Sequence, residues 1–171
     1  MILLGFLVLF IRKYSLIFII ERVPLNNNFN IKIKLLNKNG KIPSKSHSDD
    51  IGYDLYVDSG YKIDPGEVVR IKLSIAIQLP INVGGFVLPR SGLASKHLIA
   101  PINSPGLIDP GYRGELMVPL MNYSKITYTV KKHERIAQLV AITTENLEFH
   151  EVDNLDESER SDGGFGSTGK N

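Results

Sequence analysis

The stretch Val68-Val69-Arg70-Ile71-Lys72-Leu73-Ser74-Ile75-Ala76-Ile77-Gln78-Leu79 alternates apolar and polar side chains almost without a break. Val69, Ile71, Leu73, Ile75, Ile77 and Leu79 fall on one side; Arg70, Lys72, Ser74 and Gln78 fall on the other. A period of two belongs to a pleated strand with one face in a core and one in water. Residues 68–79 therefore read as one half-buried β-strand. Shorter runs repeat the pattern: Ile31, Ile33 and Leu35 around Lys32 and Lys34, then Leu116, Val118 and Leu120, then Ile126, Tyr128 and Val130. Turn formers separate them at Asn39-Gly40, Asp64-Pro65-Gly66, Gly84-Gly85 and Asp109-Pro110-Gly111. Only Gly92 to His97 reads as a single helical turn, and no internal repeat is present. Many short strands with frequent turns predict an all-β barrel or sandwich, a jelly-roll-like β-barrel above all.

The 171 residues, 43% hydrophobic and 22% charged, allow one ordinary domain. There is no Cys, which removes disulfides, thiolate zinc sites and cysteine nucleophiles. His47, His97, His133 and His150 are too dispersed for a local metal motif. The net charge of +2 lies in residues 1–25, where Arg12, Lys13 and Arg22 face Glu21. The rest of the chain balances, so a basic nucleic-acid footprint is not expected on the body.

The first twenty residues are mostly apolar but are interrupted by Arg12-Lys13. Central cations are costly in a bilayer, and no small-residue cleavage site follows. Three readings stay open for residues 1–29: a leader translated from an upstream start, a poor membrane anchor or targeting segment, or an element docked on the domain. No membrane role is expected for the domain itself, over residues 30–150, and the cytoplasm is the expected compartment. Residues 151–171 read as a flexible arm, acidic and then glycine-rich. Gly164 to Gly169 fits G-x-G-x-x-G and Gly164 to Lys170 nearly fits a phosphate-loop pattern. Both need a helix to follow, and only Lys170 and Asn171 follow Gly169, so neither is accepted. Their glycine N–H groups and the hydroxyls of Ser167 and Thr168 still suit a phosphate.

Five segments are dense in special residues: Ile51 to Tyr56, Pro89 to Ala94, Asn103 to Gly114, Arg135 to Leu139, and Arg160 to Gly169. Any one of them has an ordinary structural explanation. In this order, and with PRSGLA, GLIDPGYRGEL, RIAQL and RSDGGFGSTG in them, they resemble the five motifs of the trimeric dUTP pyrophosphatase (dUTPase) family, over about 140 residues.

The resemblance implies a jelly-roll subunit of a homotrimer with active sites at subunit interfaces. It implies hydrolysis of dUTP to dUMP and pyrophosphate with Mg²⁺. Asp109 matches the family's water-activating carboxylate, and Asp54 the acid that holds Mg²⁺ through water. Arg90, Ser91, Gln138, Arg160, Ser167 and Thr168 match phosphate-binding positions, with Gly92 and Gly166 beside them. Asn103 and Gly106 match the reader of the uracil edge, Tyr112 the ring under the deoxyribose, and Phe165 the arm aromatic stacked on uracil. Arg suits phosphate because its planar fork binds bidentately. The departures are His133-Glu134 before the fourth motif, Asp162 in the arm, and Pro110-Gly111 after Asp109; none removes a catalytic group. A dCTP deaminase or bifunctional deaminase of the same fold, and a non-enzymatic binding protein on this scaffold, are the alternatives.

Overall fold

The computed structural model describes residues 11–12, 15–16, 29–158 and 161–162. Within them strands β1 (Ile11–Arg12) and β2 (Ser15–Leu16) form a short antiparallel pair. The domain follows: β3 (Lys32–Leu35), β4 (Tyr53–Tyr56), β5 (Tyr61–Ile63), β6 (Val68–Lys72), β7 (Ile75–Gln78), β8 (Val83–Pro89), helix α1 (Ser91–His97), β9 (Ile99–Pro101), β10 (Gly106–Ile108), β11 (Met117–Asn122), β12 (Tyr128–Val130) and β13 (Arg135–Thr143). The largest sheet has the order β10-β8-β13-β4, and a second has β6-β11-β9; β12 pairs β5 and β3 pairs β7. Every one of these pairings is antiparallel.

One apolar core joins the sheets into a jelly-roll-like barrel. Each element from β4 to β13 sends at least one side chain into it, among them Leu55, Ile71, Ile99, Leu120 and Ile136, all fully buried. Each such side chain contributes about 1.5–3 kcal/mol relative to exposure. The expected helical turn is α1. Its N-cap Arg90 is extended, and Leu98, left-handed at φ 56°, ends it by donating its N–H to Ala94 O.

Residues 68–79 do not form one strand. The run is broken at Leu73-Ser74: β6 pairs with β11, whereas β7 crosses to pair with β3. Ser74 has φ 52° and is buried, although alternation placed it facing solvent. Gly84-Gly85 is not a turn but the interior of β8. A Cβ at Gly85 would stand 3.1 Å from Leu139 Cδ1, so the pair permits close packing of β8 against its neighbours. Leu35 and Ile126 are more exposed than their alternation implied, at 46% and 75%. From Thr144 to Ser158 no helix or strand forms. Among the described residues no helix is long and apolar enough to cross a membrane.

Two buried polar groups hold loops to this barrel. Asn122, fully buried, donates from Nδ2 to Ile63 O and Ile126 O, both at 2.8 Å, and accepts from Ser124. Asp58 accepts from Ser74 Oγ at 2.7 Å, Ser59 Oγ at 2.9 Å and the Tyr61 hydroxyl at 3.0 Å. Burial pushes the Asp58 carboxyl up, but these three bonds and the charge of Lys72 outweigh it and hold it below its ordinary value.

Asn122→Leu strands the buried Ile63 carbonyl and should cost about 1–3 kcal/mol in a denaturant melt; an unchanged midpoint would refute this role. The Asp58 contribution is complete above the unfolded pKa of about 3.9 and is lost as pH falls through the lower folded value. Asp58→Asn should therefore be less stable at pH 7 and lose less of its remaining stability below about pH 4 than wild type. Parallel acid limbs for the two proteins would count against the hub.

Candidate active site

The loop before β4, strands β4, β12 and β13, and helix α1 line a cleft of about 690 Å³. In the β4–β13–β8 register Gln138 stands opposite both Asp54 and Leu88. Directly opposed residues share a sheet face, so Asp54 and Gln138 project together. Strand β13 carries a bulge between Arg135 and Ala137. The extra residue lets Ile136 and Ala137 both enter the core, each fully buried, while Arg135 and Gln138 both line the cleft. Without the bulge, strict alternation would send Arg135 to the wrong face.

Asp54 is the centre of the cleft and is only 7% exposed. Its Oδ1 faces Arg90 Nε at 2.9 Å, and its Oδ2 faces an Arg135 guanidinium nitrogen at 3.1 Å. Arg135 also donates to Ser46 Oγ at 2.7 Å, and Arg90 donates to the Arg135 carbonyl at 3.3 Å. Gln138 Nε2 donates to Pro89 O at 3.1 Å. Gly52 makes this possible: a Cβ there would stand 2.5 Å from Gln138 Oε1. Ser91 and Gly92, at the start of α1, complete this wall.

The far end of the cleft holds Lys96, His97, Tyr128 and Glu134. Tyr128 donates its hydroxyl to Glu134 Oε1 at 2.6 Å and packs its ring at 5.1 Å from that of His97. Burial first, then the bond to Glu134 and its charge, drives the Tyr128 hydroxyl far up, so it stays protonated. Glu134 Oε2 also accepts the Lys131 N–H at 2.8 Å, which fixes the turn at His133-Glu134.

A second group of expected site residues lies on the loop between β9 and β10, on β10 itself and on the turn after it. Asn103 and Gly106 line a small pocket of about 60 Å³. The Asn103 amide lies against Gly106, with Nδ2 3.1 Å from where a Cβ would sit. Asp109 and Tyr112 line an adjoining pocket of about 170 Å³. The turn closes with Tyr112 N–H donating to Asp109 O at 3.1 Å. These two pockets share Leu107, Ile108, Leu116 and Met117, but neither shares a residue with the large cleft.

The fold thus brings Asp54, Arg90, Ser91, Gly92 and Gln138 together, and sets Asn103, Gly106, Asp109 and Tyr112 apart from them. Arg160, Phe165, Gly166, Ser167 and Thr168 lie outside the described residues. Sequence reading missed Arg135 and Ser46 as partners of Asp54. The signal for Arg135 was the sequence Arg-Ile-Ala-Gln, two apolar residues between two polar ones, which a regular strand does not carry. Among the described residues no group of three carboxylate or imidazole side chains could cage a metal ion. Both Asp54 oxygens face guanidinium groups, so a cation held directly by that carboxylate would have to displace one of them.

The sequence model of the dUTPase family matches residues 38–169. A deoxyuridine 5'-triphosphate nucleotidohydrolase of Clostridioides difficile is 46% identical over 141 residues, covering 82% of this chain and 99% of that protein. The dUTPase of Staphylococcus bacteriophage 80alpha, solved with dUPNHPP, superposes with a TM-score of 0.77 at 30% identity, over 82% of this chain and 99% of that one. A mutant dUTPase from phage phi11 of S. aureus, whose structure reveals the coordination of a structural Mg(II) ion, does so with a TM-score of 0.70 at 25% identity, over 75% and 99%. With its motifs in order and most of its length matched, the chain belongs to the dUTPase family.

Proposed function

We propose that the chain hydrolyses dUTP to dUMP and pyrophosphate at a site assembled between copies of itself. The observation that carries this reading is the division of the site residues. Arg90, Ser91 and Gln138 line one cleft, while Asn103, Gly106, Asp109 and Tyr112 line pockets that share no residue with it. A nucleotide needs its phosphates and its base held at once, and copies of the chain joined in a homotrimer would supply both halves.

In this reading the cleft takes the triphosphate. Arg90 offers a planar donor set, Ser91 a hydroxyl, and Gln138 an amide. Asp109, exposed beside Tyr112, orients a water and takes its proton as the oxygen attacks the α-phosphorus. The bond from that phosphorus to the bridging oxygen breaks, and pyrophosphate leaves. Asn103 and the Gly106 backbone read the uracil edge, and Tyr112 packs under the deoxyribose. The arm of residues 151–171 closes over the nucleotide with Arg160, Ser167 and Thr168 on phosphate, Gly166 beside them, and Phe165 on the base. Closure would exclude water from the phosphates.

Charge supports a divalent cation. The cleft sets Arg90, Lys96 and Arg135 against Asp49, Asp50, Asp54 and Glu134, so its own cations do not neutralise a triphosphate. Mg²⁺ held by Asp54 through bound waters would supply that charge and polarise the phosphate. Because the substrate is a soluble nucleotide, we infer a cytoplasmic enzyme, with residues 30–150 as its domain.

Asp109→Asn should lower kcat for dUTP by about 10²–10⁴-fold, measured as pyrophosphate release. Near wild-type release would defeat the assignment. Arg90→Gln and Asp109→Asn chains should each be nearly inactive alone, yet regain about a quarter of wild-type activity when refolded together, since random mixing restores some intact interfaces. No regain, with trimers present by light scattering, would mean that each chain carries a whole site.

A further inference from the structure

Ser74 adopts a left-handed backbone, φ 52°, at the break between β6 and β7. For a residue with a side chain this conformation costs about 1–2 kcal/mol, whereas glycine occupies it freely. The side chain accounts for the choice. Its Oγ donates to Asp58 and accepts from Asn37 Nδ2 at 2.8 Å. The same backbone turn aims the Ser74 N–H at Glu115 Oε1, 3.1 Å away. Backbone bonds from Leu73 N to Leu116 O and from Leu116 N to Ile75 O bracket this contact at 3.2 Å and 2.8 Å. Glu115 is therefore fixed through its carboxylate and through the residue that follows it.

The carbonyl of Glu115 accepts the Tyr112 hydroxyl at 2.9 Å. The ring lies against Gly114, where a Cβ would stand 2.5 Å from the hydroxyl oxygen and 2.7 Å from Cζ. Tyr112 is 41% exposed, so core packing does not explain a fixed ring. Its far end is tied to a strained, buried polar hub instead.

We propose that Ser74, Gly114 and Glu115 are positioning residues that hold the Tyr112 ring rigid and thereby set the discrimination of 2′-deoxyribose from ribose. The inference rests on the packing of Tyr112 under the sugar given above. A clash rejects an added hydroxyl only when the wall cannot yield. A ring free to swing makes room for UTP, while dUTP needs no such room. The device thus acts on selectivity more than on dUTP turnover.

The test compares kcat/KM for dUTP and UTP. Tyr112→Ala should lower the dUTP/UTP ratio by about 100-fold, the usual limit for steric rejection of one hydroxyl. Glu115→Ala should lower it by about 10-fold, and Glu115→Gln, whose amide oxygen still accepts the Ser74 N–H, should restore it. Gly114→Ala, at an exposed site, should displace the ring and lower the ratio by about 10-fold without a change in melting temperature. If Glu115→Ala does not fold, Gly114→Ala decides. Equal losses on both substrates, or a wild-type ratio in Glu115→Ala and Gly114→Ala while Tyr112→Ala relaxes it, would overturn the inference. A wild-type ratio in Tyr112→Ala would instead overturn the sugar role of Tyr112.

Discussion

A carboxylate shielded from water between two guanidinium groups governs this structure. Asp54 is 7% exposed, and a charge so buried is costly unless it is paired and hydrogen-bonded. Its two oxygens are divided between Arg90 and Arg135, which leave their own strands at different points. Arg90 reaches it from the end of β8, so that strand must stop at Pro89. Arg135 reaches it from the start of β13, so that strand must bulge. The β13 bulge, the start of α1 and the wall beside Gln138 all lie around these two contacts. Both arginines are partly exposed, so the pairs specify geometry more than they add stability.

This explains which parts of the molecule were legible in sequence. Alternation found the core positions of β11 and most of those along residues 68–79, because burial on one face leaves a period of two wherever a strand is regular. It failed at Ser74, where the chain changes sheet without losing its alternation. Buried serine and solvent-facing serine look alike in a pattern of polar and apolar letters. It failed again at Gly84-Gly85, since the two reasons for glycine, turn conformation and close approach, share one residue type. The motifs located more than the periodicity did: Asp54, Arg90, Ser91 and Gln138, named from the resemblance, line one cleft. What the motifs did not carry was Arg135 and Ser46, whose role is visible only once the bulge and the Asp54 oxygens are seen together.

The departures from local rule are not scattered evenly. The bulge of β13 lies beside Asp54, and the left-handed Ser74 lies behind Tyr112. Gly52 and Gly114 each lack a Cβ where one would strike the side chain of an expected site residue. By contrast, the left-handed Leu98 ends a helix with ordinary backbone bonds and needs no further reason. Strain and close approach persist where neighbouring structure holds them, around polar groups at Gly52, Ser74 and Gly114 and against apolar side chains at Gly84-Gly85. The barrel is therefore two things at once: a regular apolar body, built by alternation, and a set of local irregularities that place particular polar side chains.

The position of those irregularities bears on assembly. The cleft around Asp54 and the turn around Asp109 are each supported within one chain, by the β13 bulge in one case and by the Glu115 anchor in the other. Neither support depends on the other, and their linings do not overlap. Two separately organised half-sites can meet across an interface without either having to form on contact. Association then costs the rigid-body freedom of the chains but little internal reordering of the body, which is the condition for a preorganised site between subunits.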